Sequence, residues 1–351
     1  MENEKKKKDW KDLLLRSGLP LEHDVADLLE KHKIYSYGEY SYSRINENGQ
    51  QLEHSVDIDA EIRLAGAPLY FLIECKYRDP QKMWFFYPIS YGKKELGQLR
   101  GDRLVKILEC LSPARIDSKS FRRFESQLEL CSKGVEILEN KENESSIKHG
   151  LFQLRYAIPN YLFSLLTNQL QMVNDGNLKI NLVIPLLVTT ASLYVINRNS
   201  DIKTVRNANQ IKEVATRVNS LLVYQEPSID LSEYSEKLFE KLNQDPRLLS
   251  RLKELNSLWN EHSKREDSLP YNPLLFDLHS IFIRSSSKIL VVEYDSLEIV
   301  IKRLLKIFKA TLRSVDKFAV LKNDFDKHKS YFETKTWFEA YVQDSGSKAD
   351  E

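Results

Sequence analysis

The stretch His54-Ser55-Val56-Asp57-Ile58-Asp59-Ala60-Glu61-Ile62-Arg63-Leu64 decides how the chain is read, together with Leu69-Tyr70-Phe71-Leu72-Ile73-Glu74-Cys75-Lys76 just after it. In the first half Val56, Ile58, Ala60, Ile62 and Leu64 alternate with Asp57, Asp59, Glu61 and Arg63. That period of two predicts a strand with one buried face. Ala65-Gly66-Ala67-Pro68 is a turn signal. The second half is nearly continuous in apolar character, as a strand buried on both faces is. The short turn makes the two strands antiparallel neighbours. Asp57 and Asp59 then share one face of their strand, and Glu74 and Lys76 share one face of the next.

Charged groups ending an apolar strand are costly unless they are paired or bind a metal. Asp57 lies 17 residues before Glu74, so the hairpin brings the two carboxylates close enough to hold one divalent cation through oxygen. Hard oxygen ligands suit Mg²⁺, which offsets charge on a scissile phosphate. A lysine beside it orients or deprotonates the attacking water, or stabilises the charge that develops. Phosphodiester hydrolysis needs this combination. The plainer alternative is a structural salt bridge between Glu74 and a neighbouring lysine.

Working outward, Leu21, Val25, Leu28 and Leu29 predict a helix from Pro20 to about Lys33, with Glu22 in its first turn. Residues 1–17 read as a tail or short helix. Tyr37 to Ile45 reads as a strand closed by Asn46-Glu47-Asn48-Gly49. Lys94 to Leu111 and Lys119 to Leu138 read as amphipathic helices. A long helix spans Ile147 to Met172 with a kink at Pro159, followed by strands at Lys179–Leu186 and Ser192–Ile196. Beyond it, helices are predicted near Ile211–Leu222, Leu231–Leu242, Arg247–Trp259 and Ser296–Leu312, with one strand at Ser287–Glu293 and a disordered end from Asp344.

At Asp57, Glu74 and Lys76 the chain resembles the PD-(D/E)xK nuclease superfamily, and within it the Mrr-like branch. The resemblance covers Pro20 to Arg78 and extends through the helix of Gln153 to Ile196. It implies an α/β, restriction-endonuclease-like core: helix, three antiparallel strands, crossover helix, further strands. That core would occupy residues 18–200, with a helical insertion over about 93–146 and a mainly helical region over 201–351. It also implies that Asp57 and Glu74 bind Mg²⁺ (Mn²⁺ substituting), that Lys76 is the catalytic lysine, and that Glu22 completes the site. Val56 stands where the family carries proline. Asp57, framed by Val56 and Ile58, matches the family's apolar-Asp-apolar pattern; Asp59 is the second choice. Gln153, with Arg155, starts the crossover helix, where such nucleases often place a polar residue; a solvated helix face is the alternative.

Composition narrows the rest. The chain has 351 residues, with 52 Lys+Arg against 51 Asp+Glu and 42% hydrophobic residues, which excludes wholesale disorder and a polycationic binder. Three cysteines suggest no disulfide framework and point to the cytoplasm. The apolar stretch Ile180 to Ile196 is shorter than the ~20 residues that span a bilayer. Seven histidines show no zinc spacing, and no glycine-rich phosphate loop is present, so any ATPase is a separate partner chain. Trp84-Phe85-Phe86-Tyr87 fits packing better than base stacking. Thr189-Thr190 reads as a turn. Cationic groups at Lys93–Lys106, Arg122–Arg123 and Lys302–Arg313 are spaced to line phosphates, but a solvated helix face explains most such runs, so each group alone is weak evidence.

Together these readings predict a metal-dependent endonuclease acting on DNA, in restriction or defence, with RNA and a homodimer left open. The alternative is a nuclease-fold DNA-binding or assembly module of a larger complex, its chemistry silent or triggered by a partner.

Overall fold

A computed structural model describes residues 9–45, 49–64, 67–89, 102–112, 116, 118–138, 141–171, 180–263 and 273–315. Helices α1 (Trp10–Arg16) and α2 (Leu19–Lys31) meet at Gly18, whose φ of 88° favours glycine. Leu21, Val25 and Leu29 form the buried stripe of α2. Strands β1 (Tyr35–Ile45), β2 (Gln51–Leu64) and β3 (Ala67–Lys76) follow, antiparallel in sequence. Helix α4 (Ser145–Gln171) then crosses over to β8 (Asn181–Thr189), which lies parallel to β3. Thus the expected order of helix, three antiparallel strands, crossover helix and returning strand is present, and α4 runs through Pro159 as one element.

Between β3 and α4 the chain departs from the predicted helical insertion. The described part holds β4 (Met83–Pro88), β5 (Lys106–Leu108), a short α3 (Lys119–Glu125), β6 (Leu130–Leu138) and β7 (Lys141–Asn143). The alternation in Lys119–Leu138 thus belongs to a helix of seven residues and then a strand. The Trp84–Tyr87 run is a strand, with Trp84, Phe85 and Phe86 buried. Gly134 of β6 faces Phe86, whose ring fills the space where a Cβ would stand.

After β8 come β9 (Ser192–Ile196), α5 (Ile202–Asn207), β10 (Ala215–Val218) and β11 (Ser220–Tyr224), so Ile211–Leu222 is largely strand and not the predicted helix. Helices α6 (Ile229–Asn243) and α7 (Pro246–Ser263) were expected, and α8 (Pro273–Arg284) was not. Strand β12 (Lys288–Glu293) and helix α9 (Leu297–Val315) match their predictions closely. The residues after 200 therefore build part of the same sheet as well as helices. Residues 1–8 of the predicted tail, residues 94–101 of the predicted Lys94–Leu111 helix with the cationic residues there and Lys93, and the end from Asp344 fall outside the described residues.

The fold is α/β: one mixed sheet, ordered β1-β2-β3-β8-β12-β11-β6-β4-β9-β10, with β5 on β8 and β7 on β6. Side chains from α4, α6, α7 and α8 fill one core, and those from α2, α3 and α9 fill the other. Strand β8 is buried at every position, as a parallel strand covered on both faces must be. Its Pro185, unusual in a central strand, falls between the stretch paired with β5 (181–183) and the stretch paired with β12 (186–189). Lys76, Thr189 and Glu293 align in one row, which places the ends of β3, β8 and β12 together. Among the described residues no helix is long and apolar enough to cross a membrane.

Candidate active site

The β2–β3 ladder runs to Ile58 opposite Ile73, so continuing the register by one step sets Asp57 against Glu74. There the side chain replaces the ladder: Asp57 Oδ2 accepts the Cys75 backbone N–H at 2.6 Å. From the next outward position of β3, Lys76 Nζ donates to Glu74 Oε1 and, at 3.2 Å, to Gln153 Oε1 on α4. Gln153 Nε2 donates to the Ser55 carbonyl at 3.1 Å, so one amide ties β2, β3 and α4 around the lysine. Gly150 makes room for this arrangement. A Cβ there would stand 3.2 Å from Lys76 Cε and 2.9 Å from Leu187 Cδ1.

Asp57, Lys76 and Glu22 line a cavity of about 470 Å³ that lies between the α1–α2 junction, the end of β3 and the start of α4. Glu74 is fully buried against Lys76, and its Oε2 has no hydrogen-bond partner. Burial, then the charge of Asp57, pushes Glu74 up to about 8, although Lys76 opposes the shift. Burial likewise raises Asp57 against the pull of the Cys75 N–H and Lys76. Glu22 is raised by burial and by Asp57. The charge of Asp57 thus disfavours ionisation of both Glu74 and Glu22 while Lys76 favours it, and a divalent cation would favour it further.

The residues present fit such a cation. Among the described residues no three His, Cys, Asp or Glu side chains converge as a ready-made cage. The donors are instead a close pair, Asp57 and the unpartnered Oε2 of Glu74, with Glu22 facing the same cavity. Mg²⁺ is typically held by one or two carboxylates and keeps several of its waters, so a pair suits it.

Arg16 and Arg78 bring further positive charge to the same lining, together with His149 and with Ser145 and Ser146 at the positive end of the 27-residue helix α4. Arg78 is held firmly: its Nε donates to Glu136 Oε2 at 2.7 Å, while Thr190 Oγ1 accepts its backbone N–H and donates to its carbonyl. Glu136 is 2% exposed and also accepts from Lys82, Trp84 Nε1 and Ser146. Burial alone would raise this carboxyl, but those bonds and the Arg78 charge hold it below its ordinary range.

Of the residues singled out in the sequence, the fold brings together Asp57, Glu74, Lys76 and Gln153, with Glu22 on the same cavity. Asp59 is separate. It accepts a hydrogen bond from Tyr161 OH at 2.8 Å, and burial pushes its carboxyl up to about 6. Arg155 turns away and donates to the carbonyls of Gln225 and Glu226. Thr189 and Thr190 are more than a turn, because Thr189 Oγ1 donates to the Lys76 carbonyl at 2.9 Å. Arg78 was missed because it stands two residues beyond the end of β3, where strand parity no longer marks a face. Glu136 carried no local signal, because its partners come from distant elements. Comparison with protein-family models, curated proteins and solved structures finds no match to this chain.

Proposed function

We propose that the chain is a metal-dependent nuclease that hydrolyses phosphodiester bonds in DNA, built on a restriction-endonuclease-like core. The observation that carries this reading is Lys76 Nζ, held between Glu74 Oε1 and Gln153 Oε1 on a cavity that Asp57 also lines. Asp57 and Glu74 would hold the cation, Mg²⁺ or Mn²⁺, which supplies positive charge beside the scissile phosphate. Lys76 then orients the attacking water, or steadies the charge growing on the phosphate oxygens. Gln153 keeps the lysine on the cavity side of Glu74. On the same cavity Arg78, fixed by Glu136 and Thr190, meets a phosphate oxygen, and the α4 N-terminus adds its dipole.

A silent DNA-binding module is the rival reading. The unpartnered buried Oε2 of Glu74 argues against it, since a fold without chemistry gains nothing from an unsatisfied carboxylate there. The test is incubation of plasmid and linear DNA, and of RNA, with the purified chain in Mg²⁺, in Mn²⁺ and in EDTA. Cutting with either metal that stops in EDTA supports the proposal, and cutting of RNA alone would redirect the substrate. Binding without cutting in any of these conditions favours the silent module. A role in restriction or defence follows from the resemblance and belongs to the same proposal.

A further inference from the structure

Two cationic runs nearly 180 residues apart in sequence lie side by side in the fold. Helices α3 and α9 pack together over the core that α2 also covers, and the Arg303 guanidinium sits 4.9 Å from the centre of the Phe124 ring. Lys302, Lys306 and Lys309 fall on one stripe of α9 at spacings of four and three, with Arg303 beside them, and all four are exposed. Arg122 and Arg123, also exposed, extend the same surface on α3. Among the described residues Lys302 pairs with Glu298, whereas Arg122, Arg123, Lys306 and Lys309 carry no ion pair. The one acid in the described span of α3, Glu125, is bound to Lys288 of β12. For a chain of net charge +1, this is a concentrated positive face.

We propose that the α3–α9 face binds the phosphate backbone of duplex DNA and feeds it towards the cavity at the end of β3. The inference rests on the nuclease reading for the identity of the polyanion. The topology supports the direction: α9 starts just after Glu293, in the row that Lys76 and Thr189 share, so its cations lie within ~8–18 Å along the helix axis from its start. The chemistry selects a duplex. Single strands are gripped by exposed aromatic rings on which bases stack. On this face Phe121 and Phe124 are buried, and the large exposed apolar side chain of α9 is aliphatic Ile299. What remains are cations at helical intervals, which contact phosphates and read no bases.

Binding is measured without cleavage, by fluorescence anisotropy of a labelled DNA duplex with the full-length chain in EDTA. Arg122→Glu/Arg123→Glu and Lys306→Glu/Lys309→Glu are each compared with Lys237→Glu/Lys241→Glu, a pair of exposed lysines on α6 over the other core. Each α3 or α9 pair should weaken binding at least ~10-fold at 100 mM salt and shallow the plot of log K against log salt by about 2, since each phosphate contact contributes about 0.9. The α6 pair should change neither. Equal affinities for the α9 variant and the unaltered chain would overturn the proposal, as would tighter binding to a single strand than to the duplex. Salt-dependent duplex binding by a chain that cuts nothing would retain this face while the nuclease reading fails.

Discussion

Two parts of the sheet are built on opposite logic. Around Asp57, Glu74 and Lys76 the fold tolerates buried charge: a fully buried carboxyl with one oxygen unpartnered, raised by burial and by the charge of Asp57 beside it. Around β4 and β6 everything is satisfied. Trp84 and Phe86 are buried, Gly134 yields its space to the Phe86 ring, and Glu136 takes four donors at once. On the proposed reading the first region accepts buried charge for the sake of chemistry, and the second region holds it in place.

Substitutions should separate the two. The largest effect is expected from Glu74→Gln: cleavage should fall by roughly 10³-fold, comparable with loss of one strong transition-state contact, while the metal-free protein melts no lower than the parent. A large loss of melting temperature instead would show that Glu74 holds the fold, which would break the comparison. Gly134→Ala should do the reverse. Its Cβ would stand 2.6 Å from the Phe86 ring, so about 1–3 kcal/mol of stability should be lost on chemical unfolding. The cleavage rate of the fraction still folded should change little.

The smallest effect is a pH dependence. The fold keeps Glu74 protonated up to about 8, against an ordinary 4.5, so the stability it contributes is complete below about 4.5 and is lost as pH rises through about 8. Asp59, pushed up to about 6, acts in the same direction over a lower range. Melting of the metal-free chain should therefore decline between about pH 4.5 and about pH 8, and Glu74→Gln should flatten the slope. A parent and variant with identical slopes would assign the decline to other groups.

The same contrast explains what was legible in the sequence. The β2–β3 hairpin could be read because period-two alternation, a Gly-Pro turn and misplaced charges are all local signals. Strand parity puts Asp57 with Asp59 and Glu74 with Lys76 on shared faces, and the resemblance singles out Asp57, Glu74 and Lys76 among them. Asp57 is preferred to Asp59 on its framing by Val56 and Ile58; what only the fold adds is that the ladder ends at Ile58 and that Tyr161 donates to Asp59. Residues 119–138 and 211–222 misled because their short strands take partners from far along the chain: β6 pairs with β4 and β11, and β11 with β12. Arg78, which lies beyond the end of β3, its anchor Glu136, and the meeting of α3 with α9 were not legible, because contacts across 50 to 180 residues leave no mark in a local pattern.

The most direct measurement is DNA cleavage by the unaltered chain and by Lys76→Ala across one Mg²⁺ titration, with melting curves recorded for both. The account predicts a loss of ~10²–10⁴-fold at every metal concentration, with the two proteins melting at about the same temperature. Equal cleavage by both proteins would contradict it, because the lysine held between Glu74 and Gln153 would then be an ordinary salt bridge.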